Sequence, residues 1–245
     1  RQITNLDEQW KKIDLITKPY KDGEIQILDE IEDVFTALDD SLASINTILG
    51  SRYVKPLRAE AESWKKNLFT LNQIIEEWVQ CQKQWIYLEN ILKSQDIKKH
   101  LPNESAKFEK IDSNFKKLME RTKKSPSAIK MVKGPGGQQL LEQLKSNNEI
   151  LEDIQKKLED YLEKKRGEFP RFYFLSNDEL LEILANSQNL EIIQQNLKTC
   201  FDNIYRLEIE EDSLSIKAMF SGEAEKVPFS KKPTARGAVE TWLNS

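Results

Sequence analysis

Of 245 residues, 32% are charged and 38% hydrophobic, with eight Gly and eight Pro; this is the profile of a long-helix protein that buries a core, not of a disordered chain. The net charge of −4 comes from intermixed signs, and nothing in it suggests a nucleic-acid footprint, which would need positive charge clustered on one face. No apolar run nears the ~20 residues of a membrane span.

Residues 1–23 are weakly periodic. Trp10, Ile13 and Ile16 suggest a short apolar anchor, Lys18-Pro19 breaks it, and Lys21-Asp22-Gly23 signals a turn. The chain opens with Arg1 rather than Met, without a signal peptide, and is read as a piece of something larger. From Glu24 a helix is predicted. Leu28, Phe35, Leu42 and Leu49 recur every seven residues, with Ile31, Leu38 and Ile45 between them, and Gly50-Ser51 stands at its end.

Pro56 suits the first turn of a second, longer helix. Leu57, Trp64, Leu71, Trp78, Trp85 and Leu92 repeat every seven residues, Ala61, Leu68 and Ile75 interleave, and Cys81 and Leu88 continue the face. Residues 56–93 would span about 55 Å, and the short 50–55 link suggests that the first helix folds back antiparallel along it. Three tryptophans on one stripe could form a ligand platform; at this spacing they read better as core. Leu101-Pro102-Asn103 breaks the pattern beside His100, the single histidine, which has no visible nucleophile partner and reads as a loop residue. A third helix carries Phe108, Ile111, Phe115, Leu118 and Met119.

Residues 121–137 are basic and rich in Gly and Pro. Gly134-Pro135-Gly136-Gly137 lacks the preceding strand and the spacing of a phosphate-binding loop, so a mobile surface loop is expected. The fourth helix, from about Gln138 to Arg166, carries Leu144, Leu151 and Leu158, with Leu140, Ile154 and Tyr161 beside them; Asn147-Asn148 interrupts this seam. Lys164-Lys165-Arg166 reads as a solvated helix end complementing the dipole, in preference to a microtubule-binding patch.

Glu168–Leu184 is the expected buried hub. It packs Phe169, Phe172, Tyr173 and Phe174 together, then starts a helix with Ser176 and Glu179 as a capping box and Leu175 and Leu180 as a hydrophobic staple. A second short helix follows, with Ile192, Ile193, Leu197, Phe201 and Ile204 facing inward. Then the period drops to two: Leu207 and Ile209, next Leu214, Ile216, Ala218 and Phe220, and Lys226–Phe229 predict a small antiparallel meander. Val239, Trp242 and Leu243 dock a terminal helix. Cys81 and Cys200 read as buried free thiols of a reducing compartment, with a disulfide as the second reading. The fold class is therefore mainly α: an elongated antiparallel helical bundle over 1–166, and a second part over 167–245 holding the hub, two helices, the meander near the C-terminus and the terminal helix.

The residues supply no Ser/His/Asp order, metal cluster or phosphate loop, so no catalytic, cofactor or metal site is assigned and the chain is not read as an enzyme. A packed helical rod fits a passive scaffold or spacer as well as a mechanical arm. A spectrin-like array should repeat at about 100 residues, and no such repeat is present.

One family resemblance separates the two. FPRFYFLSNDELLEIL (169–184) resembles the linker region of dynein heavy chains, more the axonemal type than the cytoplasmic. LEDIQKKLEDYLEKKR (151–166) and the set Trp85, Tyr87-Leu88-Glu89, Asp96-Ile97, Leu101-Pro102, Phe108 and Asp112 are similar to it as well, as is Ala235-Arg236-Gly237 with Val239-Glu240 and Trp242-Leu243. The resemblance runs from about Trp10 to Leu243. One departure is Ser221-Gly222-Glu223-Ala224-Glu225, where many relatives carry S-x-E-G-E; it puts the turn geometry in question. The resemblance implies a mechanical linker, or lever arm, lying across a ring of AAA+ modules of the same heavy chain, which bends and straightens as ATP is bound and hydrolysed to give a power stroke along microtubules. ATP and Mg would belong to that ring, outside this chain, and microtubules would be met only through absent regions. Other dynein subunits are further partners, with no nucleic acid or membrane, in the cytoplasm and cytoskeleton, at the axoneme of a cilium or flagellum. Flexion is expected where the seams break, at 50–55, 121–137 and Asn147-Asn148.

Overall fold

A computed structural model describes residues 2–245. It is mainly α, with two small antiparallel sheets among the described residues. In chain order come α1 (Gln2–Trp10), the hairpin β1 (Ile16–Tyr20) and β2 (Ile25–Asp29), α2 (Ile31–Gly50), α3 (Arg58–Leu92), α4 (Gln95–His100), α5 (Pro102–Lys124), α6 (Gly136–Glu168), α7 (Asn177–Ala185), α8 (Leu190–Cys200), the meander β3 (Arg206–Ile209), β4 (Ile216–Phe220) and β5 (Lys226–Pro228), and α9 (Val239–Leu243). The chain forms two compact units, Arg1–Tyr87 with Lys107–Glu152, and Leu88–Ala106 with Asp153–Ser245. α3, α5 and α6 each pass from one unit into the other, so each unit is assembled from two separate stretches. The expected division after residue 166 falls inside α6, within the second unit.

In the first unit the amino-terminal reading changes. α1 buries Ile3, Leu6 and Trp10, while Ile16 is 44% exposed. The helix predicted from Glu24 starts at Ile31, because 25–29 pairs with 16–20 as a hairpin, Tyr20 opposite Ile25. Lys21 and Gly23, at φ 51° and 82°, close the turn, and Glu30 at φ 49° turns the chain out of β2, so a continuous helix cannot pass. The buried stripe of α2 is Val34, Leu38, Ser41, Ile45 and Ile48; Phe35, Leu42 and Leu49 are only half-buried at its flank. Ser41 can face inward because its Oγ accepts the Trp10 indole N–H at 3.0 Å.

Pro56 lies in a 3-10 turn ahead of α3, Leu57 is 45% exposed and Trp64 half-buried. The seam of α3 holds from Ala61 and Leu68 onward, with Leu71, Trp78, Cys81 and Trp85 buried. Phe108, Ile111, Phe115, Leu118 and Met119 are buried on α5 as expected. The 121–137 stretch is built rather than loose: α5 runs to Lys124, Asp14 bridges Ser127, and Leu15 N–H donates to Pro126 O at 2.7 Å. Ala128, Ile129 and Val132 are buried apolar residues that the composition concealed. A Cβ on Gly137 would stand 2.8 Å from the Val132 Cα, so only glycine lets α6 begin here. α6 is unbroken at Asn147-Asn148, both buried; Asn148 Nδ2 donates to the Glu77 carbonyl at 2.9 Å and to its Oε2 at 2.7 Å.

In the second unit the hub is half as deep as expected. Phe169 and Phe172 are buried and meet edge to face at 4.9 Å, but Tyr173 and Phe174 are 57% and 67% exposed, because 170–174 is a 3-10 turn and its side chains point in different directions. The capping box of α7 is present in both directions, and the staple residues Leu175 and Leu180 are buried. The meander runs β3-β4-β5, and Gln194 Oε1 accepts the Leu207 N–H at 3.0 Å on its β3 edge. In the 221–225 turn the left-handed residue is Ala224, φ 63°, the place where the related pattern has its glycine. Gly222 lies against the Tyr205 ring.

Candidate functional site

On the last turns of α6 the inward stripe reads Leu151, Ile154, Leu158, Leu162, Lys165. A lysine on an apolar stripe needs an anion, because a buried unpaired ammonium is costly. Lys165 Nζ donates to Glu168 Oε2 at 3.0 Å and to Glu240 Oε1 of α9, and it stands 5.8 Å from the Tyr161 ring centroid. Glu240 is itself buried. Burial pulls Lys165 towards its neutral form, but the two carboxylate hydrogen bonds outweigh that and raise its pKa. The Lys165 hydrogen bond in turn holds Glu168 below the usual carboxylate range. Burial pushes the Tyr161 phenol up to about 12.

Lys165, Glu240 and Tyr161 line a cleft of about 620 Å³ that also takes in Asp96, His100 and Arg236. The His100 ring stacks on Tyr161 at 5.4 Å, so the histidine read as a loop residue closes α4 against α6. Asp96 accepts from Ser187 Oγ at 2.8 Å, and Ser94 Oγ donates to the Ala185 carbonyl at 2.9 Å, tying α4 to the end of α7. His100 faces an aromatic ring rather than a nucleophile, and among the described residues no group of three His, Cys, Asp or Glu is placed to hold a metal. The arrangement is a latch: it fixes α9 to α6 through a buried ion pair.

Lys164-Lys165-Arg166 is not a solvated end. Lys164 alone is exposed. Arg166 Nη2 donates to Leu175 O at 3.1 Å, since the chain doubles back after Glu168 and presents its carbonyls. Two of the three tryptophans on the stripe are core: Trp78 and Trp85 are fully buried, and Trp85 stacks on Phe115 at 4.7 Å and donates to Asp112 Oδ1 at 2.9 Å, while Trp64 is only half-buried. Cys81 and Cys200 are free and buried, their thiols pushed by burial up to about 12 and about 11. The sequence reading missed Lys165 and Glu240. The signal was there in a lysine continuing the Leu158–Leu162 stripe, and in an acid set between Val239 and Trp242.

The family described as dynein heavy chain, N-terminal region 2, matches residues 1–245. The chain is 44% identical over 246 residues to dynein axonemal heavy chain 2 of Mus musculus, 40% over 260 residues to dynein axonemal heavy chain 6 of Homo sapiens and 41% over 245 residues to human dynein axonemal heavy chain 3. Each alignment covers 98% of this chain and 6% of the relative, so the chain spans a small part of the curated relatives it matches.

Proposed function

The chain belongs to the dynein heavy chain family, in its N-terminal region 2, and on that premise we propose that it serves as a mechanical linker. In this reading it is the lever arm of an ATP-driven motor of the cytoskeleton, at work in a ciliary or flagellar axoneme as the names of its relatives suggest. An AAA+ ring of the same heavy chain would bind ATP and Mg and supply the chemistry, microtubules would be reached through other parts of the motor, and other dynein subunits could join it. The chain itself would carry force and no reaction.

The observation that supports a lever is the pair of unbroken helices α3 and α6, of 35 and 33 residues. A helix with a continuous packed seam resists bending, because flexion would open its core contacts. The buried Lys165–Glu240 pair supports the same reading by pinning the terminal helix to α6. Flexion then falls to the exposed 51–53 turn between α2 and α3. Hydrogen exchange of the whole heavy chain across nucleotide states would read this directly, and equal protection at 50–55 and along α3 in every state would remove the hinge.

The alternative is a passive spacer. Replacing residues 1–245 in the parent chain by a flexible Gly/Ser segment of equal reach separates the two. A lever predicts retained ATP turnover with loss of microtubule gliding; gliding that persists at normal speed makes the region a spacer.

A further inference from the structure

A second cleft, of about 410 Å³, lies in the first unit at the end of α5, and its chemistry differs from the latch. Its charged lining is Arg121, Lys124, Lys130 and Lys133, with no carboxylate. Lys124 is paired with Glu120 at 2.9 Å on the exposed helix surface, and Lys133 lies close enough to Asp7 for its charge to act on that carboxyl. Among the described residues, Arg121, Lys130 and Lys133 have no carboxylate within ion-pair distance, although acids outnumber bases in the chain, 41 to 37. All four side chains are exposed, so together they make an electropositive surface on which an added phosphate would find several charge-assisted donors.

Three hydroxyls line the cleft, from Thr122, Ser125 and Ser127. Thr122 is buried and donates to the Leu118 carbonyl at 2.8 Å. Ser127 is half-buried in its bridge to Asp14. Ser125 alone is exposed. It also begins the only Ser/Thr-Pro step in the sequence. Ser125 N–H closes the last turn of α5 on the Arg121 carbonyl at 2.9 Å, and Pro126 ends the helix directly after it; the Ser-Pro step is the pair that a proline-directed kinase reads.

We infer that Ser125 is a phosphorylation site for a proline-directed kinase, and that the Arg121, Lys124, Lys130 and Lys133 cleft receives its phosphate. The γ-phosphoryl of ATP passes to Ser125 Oγ. A new P–O bond forms there, the bond to the β,γ-bridging oxygen breaks, ADP leaves, and the hydroxyl proton goes to the base of the kinase. The dianion opposes the C-terminal end of the α5 dipole, and four cations on the walls outweigh that. Its consequence is local. Pro126 and Ala128 are hydrogen-bonded to Leu15 and Ile13, so a phosphate held in the cleft clamps the segment joining α1 to β1 onto the α5–α6 connection. The inference does not depend on the lever reading.

The test incubates the folded chain with a proline-directed kinase and ATP and maps the phosphate by mass spectrometry. Phosphate on Ser125, absent in Ser125→Ala, is expected; no modification, or modification elsewhere only, overturns the site. Phosphorus NMR of the modified chain then reads the receiver. Held by the cations, the phosphate titrates well below the ordinary second pKa of about 6. In Lys130→Gln/Lys133→Gln, exposed substitutions checked for native circular dichroism, it moves back towards that value. A phosphate that titrates ordinarily in the unsubstituted chain overturns the cleft as its receiver.

Discussion

Gln82 grips Leu28 by both ends of one peptide pair: its Oε1 accepts the Leu28 N–H at 2.7 Å and its Nε2 donates to the Leu28 carbonyl at 3.0 Å. A two-stranded hairpin is marginal alone. Here a side chain of α3 stands where a third strand would bond. Gln82→Ala is expected to cost about 2 kcal/mol, with faster amide exchange at Leu28 and at the neighbouring ladder pair Lys18 and Ile27, and unchanged exchange there would show that the hairpin holds without it.

Trp78 and Trp85 are equally buried but bonded differently. Trp85 Nε1 donates to Asp112, whereas Trp78 Nε1 is buried with no hydrogen-bond partner. Trp78→Phe should therefore be the milder change, because it removes an unsatisfied donor, and Trp85→Phe should cost about 1–2 kcal/mol more. Chemical denaturation of the two variants compares them.

The split of the aromatic hub gives a second pair. Phe172→Ala removes a fully buried ring and should cost about 3–5 kcal/mol. Phe174→Ala, at a 67% exposed position, should change stability by no more than about 0.5 kcal/mol. Similar melting temperatures for the two would show that Phe172 is not core.

Lys165→Met leaves Glu240 buried without its cation and is expected to cost about 3 kcal/mol, while Lys165→Met/Glu240→Met removes both charges and recovers most of it. The latch also has a pH signature. Glu168 is lowered from its ordinary 4.5, so its contribution is complete above that value and is lost as pH falls through the lower folded pKa. Lys165 is raised from its ordinary 10.5, so its contribution is complete below that value and is lost as pH rises through the higher folded pKa. The stability gap between wild type and Lys165→Met should be widest between these limits and narrow on both sides.

Ala224 occupies a left-handed turn position, which strains any residue with a Cβ. After the extra chain entropy of glycine, Ala224→Gly should stabilise by roughly 0.5–1 kcal/mol, read as a higher melting temperature. A lower one would mean that the turn prefers its alanine.

What the sequence disclosed follows from how local the signal was. The α7 capping box, the α5 stripe and the meander rest on residues within a few positions of one another, and they stand as expected. The hairpin was hidden because Leu28 and Ile31 fit the seven-residue seam of α2, while the bond that settles it comes from Gln82, 54 positions away. The latch was hidden for the same reason: Lys165 and Glu240 are 75 residues apart. The basic connection looked mobile because its lysines outnumber the few apolar residues, Ala128, Ile129 and Val132, that anchor it.

The passage of α3, α5 and α6 through both units bears on how this region can be inherited. Each unit is discontinuous, so a single recombination point anywhere between residues 87 and 153 joins parts of one core from two parents. A chimera of two relatives keeps both cores intact only when it exchanges them at three junctions together, near 87, 106 and 152. Substitutions on one stretch of a unit are thus bound to substitutions on its distant partner stretch, and the region is expected to be exchanged among heavy chains as a whole.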